Sequence, residues 1–83
     1  MTFELYTQVA LLKDIPEWNL RKGDIATIVD KHPGSPLGEI GYSLEVFNAI
    51  GETIAVIALA ETEIEPLRKN EVLNVRILYP VPA

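Results

Sequence analysis

Apolar residues along this chain come in short runs, each cut off by glycine, proline or a charged pair, and their period is nearer two than 3.6. LYTQVALL, Leu5 to Leu12, is the first such run and ends at the turn-prone KDIPEWN, which predicts a strand leaving the sheet for a surface loop. Trp18 and Leu20 are expected to fold back from that loop onto the sheet, because a large ring beside Pro16 is costly to leave fully wet. RKGD then makes a tight turn with Gly23 at positive φ. IATIVDKH, Ile25 to His32, is β-branched with period two and gives the clearest strand signal in the chain.

PGSPLGEIG holds two prolines and three glycines in nine residues, which predicts a surface loop. In YSLEVFN, Tyr42 to Asn48, the residues Tyr42, Leu44 and Val46 share one face, and Ser43, Glu45 and Phe47 share the other. Gly51 in AIGE suits a hairpin, and TIAVIAL reads as the returning strand. Apolar on both faces, that strand is expected in the middle of the sheet or beneath another segment. AETEIEPL, Ala60 to Leu67, predicts one helical or 3₁₀ turn at Thr62 and Glu63, then a brief closing strand with Ile64 and Leu67 around Pro66. In the remaining RKNEVLNVRILYPVPA, Val75, Ile77 and Tyr79 fall on one face of a strand and Arg76 on the other. Val72, Val75 and Tyr79 also fit a helical stripe, but the β-branched content and the stop at Pro80 favour the strand. The pattern as a whole predicts an all-β, SH3-like barrel of about five short strands over residues 1–68, with 69–83 as a C-terminal extra strand or extension.

Composition narrows the function classes. With 83 residues there is room for one domain, and 48% apolar with 23% charged residues is the balance of a packed globular chain. Twelve acidic against seven basic side chains give a net charge of -5, which repels a phosphate backbone and argues against nucleic acid. Without cysteine the chain has no disulfide, thiolate nucleophile or cysteine-based zinc site. MTFELYTQVALLKD lacks the basic and long apolar regions of a signal peptide, and TIAVIALA is too short to span a membrane. A soluble cytoplasmic protein is the expectation.

The ordered series VALLKDIPEWNLRKGDIATIVD, YSLEVFNAIGETIAVIAL and EIEPL, spanning about Tyr6 to Leu67, resembles a family of small bacterial proteins, frequent in cyanobacteria, known as domain of unknown function 4926. The resemblance implies a small barrel and, for some relatives, gene neighbourhoods suggestive of toxin–antitoxin or immunity pairs. It implies no activity. The loop KHPGSPLGEIG and the tail past Leu67 depart from the shorter family pattern. RKGDIATIVD also resembles the strand-turn motif of KOW domains, which touch ribosomes or RNA polymerase, although Ala26 stands where such motifs keep glycine.

Candidate chemistry is sparse. His32 is the single histidine, with Asp30 on the same strand face and Ser35 and Ser43 near in sequence, but no serine-centred elbow surrounds them, so a solvated strand end is expected. Glu61, Glu63 and Glu65, with Glu52 and Glu45, form an acidic cluster that lacks calcium-loop spacing; it reads as a solvated edge or as a surface for a basic partner. KGD is a β-turn and no phosphate loop, since a strand follows it. No catalytic residue, cofactor or metal is expected. Tyr6 and the other aromatics suit either a core or an interface. The partner-binding set expected from these patterns is Trp18, Tyr42, Glu61, Glu63, Val75, Ile77 and Tyr79. The function expected is a non-enzymatic protein-binding module, the antitoxin or immunity half of a bacterial pair, with a basic toxin-like partner or a second copy joined through the C-terminal strand. A KOW-like nucleic-acid or ribosome-associated module is the alternative, and only Lys13, Arg21, Lys22 and Lys31 could supply its basic stripe.

Overall fold

A computed structural model of the chain describes residues 3–34 and 38–78. Five strands, β1 (Gln8–Leu11), β2 (Ile25–His32), β3 (Gly41–Phe47), β4 (Thr53–Ala60) and β5 (Ile64–Pro66), form one antiparallel sheet in the order β4-β3-β2-β1-β5. Two 3₁₀ turns, Pro16–Trp18 and Glu61–Glu63, are the helical elements among the described residues, and no helix there is long and apolar enough to cross a membrane. The protein is all-β.

Alternation places the core. Tyr42, Leu44 and Val46 of β3 are buried together, as their spacing predicts, and so are Ala55, Ile57 and Leu59 of β4. They join Val9 and Leu11 of β1, Ala26 and Ile28 of β2 and Ile64 of β5 in one cluster, so all five strands turn a face to the same interior. A single sheet can do that only by curling on itself, which makes the domain barrel-like. The ladder does not close, because β4 and β5 are the two ends of the order. A bulge in β2 between Ile28 and Asp30 supplies local bending.

The turns follow the sequence. Gly23 and Gly51 sit at φ 94° and 86°, and Asn48 Oδ1 accepts the N–H groups of Ile50 and Glu52 to close the β3–β4 hairpin. Three expectations need correction. The first strand begins at Gln8 and not at Leu5, because the chain turns at Tyr6, whose φ is 66°. The apolar TIAVIAL strand is not central: β4 is an edge, and on its second face Val56 is 58% exposed and the small Ala58 is exposed, while Ile54 is partly buried against the core. Of the two readings of the tail, extra strand or extension, the favoured strand is absent among the described residues. Residues 71–78 hold neither strand nor helix, since neither edge of the sheet pairs with them; a turn at Lys69–Asn70 and one ion pair set their course.

Candidate functional site

The open edge of β4 meets the loop between β1 and β2. Ile15 and Leu20 form a bridge at the base of that loop and are buried, and the 3₁₀ turn between them ends at Asn19 in the left-handed region. This pinned loop presents Trp18 outward, 46% exposed, while Leu20 takes the core position. Between the loop and β4 lies a groove of about 350 Å³, lined by Lys13–Trp18 on one wall and Val56–Leu59 on the other.

The groove has a backbone edge as well as an apolar wall. Antiparallel residues alternate between those bonded to their neighbour and those whose N–H and C=O point away. The bond from Glu61 N–H to Ile40 O, continued through the register Tyr42↔Leu59 and Leu44↔Ile57, fixes that phase. Val56 and Ala58 therefore turn their main-chain groups outward into the groove. Such an edge is a template for another strand.

Acidic residues fix one end of the groove. Ala60 N–H donates to Glu63 Oε1, and Lys13 Nζ lies 3.0 Å from Glu63 Oε2; the backbone bond first and the lysine second hold the Glu63 carboxyl below its ordinary range. Glu61 N–H is tied to Ile40 O. These two carboxylate residues thus bound the turn after β4, and Lys13 links that turn to the groove wall.

The other expected residues fall elsewhere. Tyr42 is fully buried, its hydroxyl accepts the Phe3 N–H at 2.9 Å and its ring meets Phe3 edge-on, so it is a core residue and leaves the surface set. Val75 and Ile77 are exposed on the irregular tail. Arg76, between them, is anchored: Nε donates to Asp24 Oδ1 at 3.0 Å, and Nη2 donates to Asp24 Oδ2 and, at 3.3 Å, to Asn19 O, one residue from Trp18. Tyr79 lies outside the described residues. Sequence reading missed the β4 edge and the Arg76–Asp24 pair, because both arise from strand order and not from local pattern.

His32 Nε2 lies 2.7 Å from Ser43 Oγ, an adjacency created by β2–β3 pairing. Both groups sit on the open sheet surface, and the Asp30 carboxylate accepts the Lys31 N–H. Among the described residues no group of three or more histidine and acidic side chains could hold a metal ion.

Fold and groove together define a small all-β, barrel-like domain with one strand edge open beside an exposed tryptophan. Residues 5–66, 62 of the 83, match the model of a family described as Domain of unknown function (DUF4926), and the chain belongs to that family. No curated protein and no solved structure matches it.

Proposed function

We propose that the protein is a non-enzymatic binding module that captures an extended segment of another protein along the β4 edge. The observation that carries this reading is the outward main chain of Val56 and Ala58 facing exposed Trp18 across a groove. Main-chain bonds supply affinity in such strand addition, and side-chain pockets supply selectivity. A tryptophan at the rim suits an anchor role, since buried indole is among the commonest sources of interface energy. The net charge of -5 favours a basic partner, and the gene neighbourhoods implied by the family resemblance favour an antitoxin or immunity role in the cytoplasm of a bacterium.

The KOW-like alternative draws no support from the cations. Lys13 pairs with Glu63, and the Asp24 and Asp14 carboxylates accept the main-chain N–H groups of Arg21 and Lys22, which interleaves acidic groups where a basic stripe is needed. The test uses the full chain as bait in nuclease-treated lysate of its source organism, followed by titration of the purified partner against the emission of Trp18, the chain's single tryptophan. A partner should be retained and shift that emission. Val56→Lys, which charges the edge, should abolish capture, and Trp18→Ala should weaken it by about 2 kcal/mol or more. Undiminished capture by both variants, or capture lost to nuclease, overturns the reading.

A further inference from the structure

The tail carries a second surface that the groove does not use. Val72, Leu73, Val75 and Ile77 are 60 to 91% exposed, which concentrates four large apolar side chains in six residues. Among the described residues, Glu71 N–H to Arg68 O is the one backbone bond made within residues 68–78 or from them to the body. The segment has strand composition, an unpaired main chain and no cover.

Its sequence says what would cover it. VLNVRIL, Val72 to Leu78, is symmetrical in chemical type about Val75. Laid antiparallel on itself it sets Val72 opposite Leu78, Leu73 opposite Ile77, Asn74 opposite Arg76 and Val75 opposite Val75. Apolar meets apolar at every pair but one, and that pair joins an amide to a guanidinium. A twofold interface requires this self-complementarity, because each residue must suit its symmetry mate.

Charge and hydrogen bonding agree. Arg76 uses Nε and Nη2 on Asp24 and Asn19, which leaves the two Nη1 donors for the Oδ1 of Asn74 in a second copy. Its charge is already matched by Asp24, and Arg68 is matched by Glu65, so the paired tails do not oppose like charges. We infer that residues 72–78 form an antiparallel two-stranded ladder with the same segment of a second copy, its twofold axis passing through Val75. The result is a dimer with two β4 grooves, one on each barrel. With seven residues a side, against about 20–30 in a standard interface, the dimer is weak and concentration-dependent.

Cysteine crosslinking tests the register, because the natural chain has no cysteine. Directly opposed Cβ atoms sit about 4.5–5.5 Å apart, close to disulfide reach, so Val75→Cys should oxidise to a dimer at least about tenfold faster than Val56→Cys, a margin well beyond their difference in exposure, 80% against 58%. Leu73→Cys alone should not crosslink, since its symmetry mate lies four residues along the ladder, roughly 13 Å away. Mixed with Ile77→Cys it should form the heterodimer. Val75→Cys no faster than Val56→Cys, or Leu73→Cys crosslinking with itself as readily as with Ile77→Cys, overturns the proposal. Trp18→Ala in the Val75→Cys background should leave the crosslinking rate unchanged, which separates this outcome from any result on the groove.

Discussion

Tyr42 shows how one side chain changes its meaning between pattern and packing. Its alternation with Leu44 and Val46 marks it for the buried face, while its hydroxyl suits a wet interface; burial prevails because the hydroxyl finds the Phe3 N–H. Tyr42→Phe keeps the ring and its edge-on contact with Phe3 but leaves a buried donor unsatisfied. Stability should fall by about 1–3 kcal/mol in chemical denaturation. Tyr6→Phe, at a ring that is 74% exposed, should change it by less than about 0.5 kcal/mol. Equal effects at the two sites would contradict the assignment of Tyr42 to the core.

The elements most legible in the sequence were those whose pattern is local. IATIVDKH, YSLEVFN and the glycine at the β3–β4 hairpin could be read directly, and the 3₁₀ turn before β5 lies where AETEIEPL predicts it. Of the two placements that apolar content on both faces predicts for β4, mid-sheet or beneath another segment, the first fails because that content reports side chains and not neighbours; whether a strand is central depends on which other strands reach it. Residues 71–78 are irregular for the same reason, since strand propensity needs a partner edge before it becomes a strand, and of the two expected forms, extra strand or extension, the extension is the one they take. The turn after β4 supports a pH test. The Glu63 carboxyl lies below its ordinary value of 4.5 in the folded protein, so its stabilisation is complete above that value and is lost as pH falls through the folded pKa. Glu63→Gln should therefore be less stable than the native chain at neutral pH, by about 1 kcal/mol at most given the half-exposed Lys13 partner. The two melting curves should converge as the buffer is acidified below pH 4.5. A constant gap across that range would show that the ion pair and the backbone bond contribute nothing through charge.

At the scale of the molecule, the core cluster runs from Phe3 to Ile64 and the family match from residue 5 to 66, whereas the tail adds no buried large side chain among the described residues. Among the described residues past Lys69, its ties to the body are the Arg76 bonds to Asp24 and to Asn19 O and the side of a shallow cleft over Ala10 and the β1–β2 turn. Asp24 does not depend on those ties, because its Oδ2 also accepts the Arg21 N–H at 2.7 Å within the turn. Deleting residues 70–83 should accordingly leave the β-sheet circular dichroism intact and cost no more than about 2 kcal/mol, the range of one charge-assisted contact and a little cover. The same deletion should abolish the concentration dependence of sedimentation that the tail pairing produces, while Trp18 emission still responds to a groove partner. Loss of the folded signal would mean that the tail holds the open barrel together across the β1–β2 turn, and the domain would then extend through Leu78.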